Sequence, residues 1–208
     1  MSTTMGKFAV TGGRPRPTAC LSLLTCLSLL TCLSVTGCTS MRTGQSPEYL
    51  DQATGASVRH VSAPIIFYRA HPDVAANERQ YATLVGASVN RSGRYDYLLL
   101  VYLWSTIDPR LGAGTRPGDA LVLIADDRAI RLRMDAQSLH EAGIESPILP
   151  PPHSRRPPRI YRLDSESLQY IAAARKLRIQ LEGDADPRPF EIWKDGRREL
   201  KQLAEAAD

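Results

Sequence analysis

The side chains of this 208-residue protein best able to do chemistry are four cysteines, four histidines and 26 lysines and arginines. Cys20, Cys26, Cys32 and Cys38 all fall in the first fifth of the chain, six residues apart. No His, Asp or Glu lies among them, so neither a metal set nor a disulfide framework for a folded domain is expected. A metal would then have to be held by His60, His71, His140, His153 and scattered carboxylates, and no pair of these has ligand spacing. No metal and no cofactor are expected.

The catalytic patterns are each incomplete. Gly86-Ala87-Ser88-Val89-Asn90 lacks the second glycine of a nucleophile elbow, and its place in a predicted strand makes Ser88 a sheet-surface residue. His140-Glu141 lacks the second histidine of a zinc-peptidase helix and reads as a solvated helix face. Gly112-Ala113-Gly114-Thr115-Arg116-Pro117-Gly118 lacks the lysine that reaches terminal phosphates, and Pro117 removes a backbone donor. Asp126 and Asp127 are neighbours whose carboxylates point apart, which suits a turn rather than acid/base work. No catalytic residue is assigned.

The most suggestive cluster is Pro150–Arg162, where His153, Arg155, Arg156, Arg159 and Arg162 stand among prolines. Proline stiffens an extended backbone and guanidinium forks suit phosphates or carboxylates, so these five residues form a candidate anion- or partner-binding patch. A solvated loop offset by Asp164 and Glu166 is the plainer reading. Trp104, Trp193 and the Tyr95–Tyr102 group are expected in core and sheet packing, with a carbohydrate-stacking surface as the other reading.

Short β-type runs separated by turn signals must position these groups. Pro64–Arg69 reads as a strand, and Tyr81–Val89 and Tyr95–Trp104 as a hairpin around Asn90–Arg94. A second hairpin joins Ala120–Ala125 to Ala129–Met134 through Asp126-Asp127, with one face of its last strand wet. Asp135–Gly143 suggests a short helix closed by Gly143. The proline-dense stretch 144–158 cannot enter a central sheet. Arg159–Leu163, Leu177–Leu181 and Phe190–Trp193 are further strands, Asp164 or Ser165 caps a helix to about Ala174, and Arg197–Ala206 is an amphipathic helix. The fold class is therefore mainly β with minor α, an antiparallel β-sandwich of about seven or eight strands with two or three short helices.

Charge is unevenly placed. The formal +4 comes from 26 basic and 22 acidic groups, but Lys7, Arg14 and Arg16 precede Cys38 and no acidic residue does. The remainder holds 23 basic against 22 acidic groups, which excludes a strongly basic nucleic-acid binder. Residues 1–18 are polar and positive, and Ala19–Thr36 is uncharged and leucine-rich, with Cys-Leu-Ser-Leu-Leu-Thr repeated at 20–25 and 26–31. That is the layout of a secretory signal, a basic region followed by an apolar one.

The apolar stretch ends Val35-Thr36-Gly37-Cys38, which resembles the lipobox of bacterial lipoproteins. The resemblance implies cleavage before Cys38, a diacylglyceryl group on its thiol, and acylation (palmitate-type) of the new amino terminus. Gly37 is smaller than the Thr31 that precedes the competing Cys32, which favours Cys38. An uncut helix anchor at Ala19–Thr36 is the alternative; at 18 residues it is near the minimum span. Thr39, rather than Asp, after the cysteine points to the outer membrane under the best-known sorting rule.

The expected organisation is a signal peptide at 1–37, a lipidated Cys and flexible tether at 38–57, and a single β-rich periplasmic domain at 58–208. The expected function is that of an outer-membrane-anchored periplasmic lipoprotein with a non-enzymatic binding or structural role. Its partners would be the bilayer, through acylated Cys38, and an envelope protein, lipopolysaccharide or glycan, with no nucleic acid. Two alternatives are an accessory subunit of an envelope secretion or assembly complex, and an envelope hydrolase acting on peptidoglycan or lipid.

Overall fold

Ten described strands pair into one antiparallel sheet that closes on itself. The computed structural model describes residues 47–73, 75–107, 120–148, 156–184 and 186–206, which lie in the compact unit Gly44–Asp208. The strands are β1 (Glu48–Asp51), β2 (Ala56–His60), β3 (Ile65–Ala70), β4 (Arg79–Arg91), β5 (Arg94–Ser105), β6 (Ala120–Ala125), β7 (Arg128–Ala136), β8 (Arg159–Leu163), β9 (Leu177–Leu181) and β10 (Phe190–Lys194). Two helices among the described residues accompany them, α1 (Ser165–Ala173) and α2 (Arg197–Glu205).

Eight strands run around the ring in the order β4, β3, β10, β9, β6, β7, β8, β5, and the β4–β5 pairing closes it. This is an antiparallel barrel, and the expected sandwich is corrected. Alternation in a sequence shows which face of a strand is buried but not which edges join. The decisive elements are β4 and β5, 13 and 12 residues long. Their hairpin pairs continuously from Gln80↔Ser105 to Arg91↔Arg94, and the free edges then take β3 and β8. Closure removes the open edges that two separate sheets would leave.

The hairpin turn has two residues, Ser92 and Gly93, with φ of 54° and 88°. Both are left-handed, as a type I′ connection requires. The Asp126-Asp127 turn also forms, with Asp126 accepting from the backbone N–H of Arg175 and Lys176 at 3.2 and 2.8 Å. The helix expected over Asp135–Gly143 does not form. β7 continues to Ala136, and a single turn follows, in which Ile144 N donates to Leu139 O (2.9 Å) across Gly143 at φ 73°. That is the closing bond of a helix end without a helix before it.

Residues facing each other across antiparallel strands share a side of the sheet. Ile65↔Leu84↔Val101, Phe67↔Ala82↔Leu103 and Leu121↔Leu132 are among the rows that face inward, and they make the core with Ile179 and Phe190. The outward rows of β7 and β9 carry Arg131, Arg133, Arg178 and Gln180, matching the half-wet strands expected there.

β2 and β3 lie end to end along the same edge of β4. His60 pairs with Ala87 and Ile65 with Leu84, so four residues of that edge, 61–64, oppose two, Val85 and Gly86. Pro64 sits in this bulge, where its missing N–H costs no ladder bond. The bulge opens the wall enough for α2 to seat. Gly86 lies on the inward side, and a Cβ there would stand 2.5 Å from Leu200 Cδ1 and 3.1 Å from Leu203 Cδ2. Glu199 fixes the same helix by accepting from Ser62 N (2.6 Å), Ser62 Oγ (2.6 Å) and Ala63 N (2.9 Å). α1 starts at the Asp164 cap, which accepts from Ser167 N at 2.6 Å, and packs against α2. The two helices close the barrel end at which β8 finishes and β9 begins.

The described structure includes β1 and the start of β2 before residue 58. Buried Asp51 accepts from four backbone donors: Ala53 and Thr54 at one oxygen (3.1 and 3.3 Å), Glu145 and Ser146 at the other (2.7 and 3.1 Å). These bonds, the Ser146 N–H foremost, hold its carboxyl below the usual range and tie β1 to the turn after β7. Tyr49 docks through its hydroxyl on Ser146 O (3.3 Å), while Leu50 stays exposed.

Candidate functional site

The end of the barrel opposite the helices gathers charge. Arg69 on β3 faces Gln80 on β4, and its guanidinium is buried, with 3% of the side chain exposed. It donates to Gln80 Oε1 through Nε (3.1 Å) and Nη2, to Asp184 Oδ2 (2.9 Å), and to the carbonyls of Asp186 (2.8 Å) and Arg188 (3.0 Å). It also lies 4.2 Å over the Phe190 ring. Every face of this cation is engaged by the protein, so it cross-links β3 to the turn before β10. The Arg188 guanidinium beside Asp186, with Arg69 nearby, holds the Asp186 carboxyl far below the carboxylate range.

Glu78 is buried beside this cluster. Its Oε2 is 3.2 Å from His71 Nδ1, and its Oε1 accepts from Ser105 Oγ at 3.1 Å. Serine, histidine and carboxylate are thus together, but in the wrong order for a nucleophile. Activation needs the imidazole between hydroxyl and carboxylate, and here the carboxylate is in the middle. The trio clamps the start of β4 to the ends of β3 and β5. His60 Nδ1 meets Val61 O at 2.9 Å, and exposed His140 meets Glu145, so the three described histidines have separate partners. Among the described residues no group of three or more His, Cys, Asp or Glu is placed to hold a metal. Ser88 lies in β4, paired with Arg59 and Tyr97, as a sheet residue.

Cys38, His153 and Arg155 lie outside the described residues. Of the other candidates, Arg156 is exposed before β8, Arg159 is half-buried opposite Val101, and Arg162 is on the outer side of β8 opposite Leu98. Arg162 bridges two carboxylates, Asp96 (2.7 Å) and Asp135 (3.1 Å). Asp96 also takes Arg91 at 2.9 Å and Arg94 at 3.8 Å, and Arg91 donates to the carbonyls of Ala142 and Gly143. Arg162 is therefore part of a mixed-charge lattice on the barrel wall rather than one prong of a free fork. No helix among the described residues is long and apolar enough to cross a membrane.

The outer wall carries a cluster of rings in which Tyr68 and Tyr81, outside the stacking reading of the sequence, join Trp104 and Trp193. Tyr68, Tyr81 and Trp104 are register partners on three adjacent strands. Trp104 lies flat on Tyr81, with centroids 4.0 Å apart and planes 10° from parallel, and its indole N–H donates to Thr83 Oγ1 at 3.1 Å. Trp193 stands edge-on to Tyr68 at 5.3 Å and to Tyr81 at 6.5 Å, and Arg79 covers its ring at 5.2 Å. Trp193 was expected in packing, yet 55% of it is exposed. Outward parity at Tyr68, Tyr81 and Trp104 was a usable signal; the register that lines them up was not. No family model, no curated protein and no solved structure matches the chain.

Proposed function

We propose that this chain is a bacterial lipoprotein, acylated at Cys38, held at the periplasmic face of the outer membrane, whose barrel binds an envelope partner without catalysing a reaction. The observation that carries the reading is the order of the leader: basic residues, an uncharged leucine-rich run, then Val35-Thr36-Gly37-Cys38. Multiple acyl chains anchor firmly because each buried methylene contributes about 0.8 kcal/mol, whereas one chain is marginal. Pro47 follows Cys38 by nine residues, which at full extension reach about 30 Å. An anchored barrel therefore works within a short distance of the bilayer.

The binding half of the reading is supported by the exposed rings of the wall. The test is metabolic labelling with a fatty acid. The wild-type chain takes up label and migrates as a shortened form, and Cys38→Ala does neither. Label and processing unchanged in Cys38→Ala overturn the anchoring. In-cell crosslinking then reads the partner class, one dominant protein adduct favouring an assembly subunit over a glycan or lipid binder.

A further inference from the structure

We infer that the aromatic wall is a binding surface for an uncharged glycan, with a pyranose ring stacked on the exposed Trp193. The inference deepens the binding reading above and rests on it for the absence of catalysis.

The register builds the surface as a row. Arg178, Glu191, Tyr68, Tyr81 and Trp104 are successive partners across β9, β10, β3, β4 and β5, all on the outer side of the barrel. Tyr81 is the buried floor at 7% exposure, Tyr68 and Trp104 are half-buried, and Trp193 is more than half exposed. The barrel does not need these rings for its core, which is filled on the other side by Phe67, Phe190 and branched aliphatic residues.

The rings are held before any ligand arrives. Trp104 is fixed by the flat stack on Tyr81 and the bond to Thr83, and Trp193 by its edge contacts and the Arg79 guanidinium. A rigid platform lowers the ordering cost of binding. Aromatic faces are electron-rich and attract the C–H-lined face of a sugar ring. The rim supplies the complement to sugar hydroxyls, with Glu191 as an acceptor and Arg79 and Arg178 as donors.

The charge pattern selects among occupants. A phosphate-rich surface or an anionic bilayer would meet Glu191 between Arg178 and Tyr68, where like charge repels. Both signs interleaved with rings suit a neutral polyol, which uses acceptor, donor and apolar face at once. An N-acetylated glycan adds methyl groups that extend the apolar contact.

The experiment uses the mature lipidated protein in detergent micelles and a β-1,4-linked N-acetylglucosamine tetramer as probe, followed by tryptophan fluorescence and calorimetry. Wild type gives a saturable change in Trp emission. Trp193→Ala weakens binding by roughly tenfold or more at an unchanged melting temperature, as does Glu191→Ala, which leaves all rings in place. No saturable change with wild type, or full affinity in both variants, overturns the surface. A wild type that ignores the tetramer yet gives one dominant protein adduct in cells removes the glycan surface and keeps the binding role. Tetramer binding by a chain with no acyl label keeps the surface and removes the anchor.

Discussion

Gly86→Ala is the sharpest probe of how the barrel is stoppered. The added methyl would sit 2.5 Å from Leu200 Cδ1, about 1 Å inside an ordinary carbon–carbon contact, and 3.1 Å from Leu203 Cδ2. Both leucines are 1% exposed, so neither can swing into water. Overpacking of this kind costs about 1–3 kcal/mol, and relief of glycine's conformational freedom in a strand returns roughly 0.5–1 kcal/mol. A net loss of about 1–2 kcal/mol in a domain of this size lowers the melting temperature by about 2–8 °C. Leu200→Ala alone leaves a cavity and costs roughly 2–5 kcal/mol.

The double variant separates this account from a generic loss of stability. In Gly86→Ala/Leu200→Ala the new methyl enters the space the leucine vacated, so the double loss is smaller than the sum of the single losses by about 1 kcal/mol or more. Urea unfolding followed by circular dichroism, with an unchanged slope against denaturant, is the assay. Single losses that add to within about 0.5 kcal/mol would show that α2 does not press on the inner wall at Gly86.

Two further outcomes follow from carboxylates that the fold has tied down. The folded-state pKa of Asp186 is depressed, mainly by its bonds to Arg188, so its contribution is present above the ordinary Asp value and is lost as pH falls below about 4. Thermal melts from pH 7 to 2.5 will show the wild type losing more stability at the acid end than Asp186→Asn, and parallel curves would contradict the assignment. Asp51→Asn replaces one of two acceptor oxygens with an NH2 that faces backbone donors, so amide exchange in Tyr49–Val58 will quicken. Exchange unchanged in that segment would mean that Asp51 does not hold β1.

Much of the chain's local structure could be read directly, because turn chemistry and alternation are local signals. The Asn90–Arg94 hairpin, the Asp126-Asp127 turn and the Asp164 cap are where residue type places them. Leu168, Ile171 and Ala172 on α1, and Leu200, Leu203 and Ala204 on α2, are the buried faces that helical spacing picks out. Barrel closure was not legible, since nothing in β4 or β5 alone states that β3 and β8 will take their outer edges. The Asp135–Gly143 stretch misled because its closing glycine signal is genuine while the turn before it is too short to propagate. The polar end around Arg69 was equally hidden: Gln80, Asp184 and Asp186 lie 11, 115 and 117 residues away, and the pairings of β3 with β4 and β10 bring them together. The wall of rings followed the same rule, with outward parity visible at each residue and their alignment set by register between strands.

The reading as a whole turns on what happens at Cys38, and intact-mass spectrometry of the protein purified from membranes measures it directly. The account predicts a chain that begins at Cys38 and carries a diacylglyceryl thioether together with an N-acyl group. An unmodified mass, or one that retains residues 1–37, would contradict it.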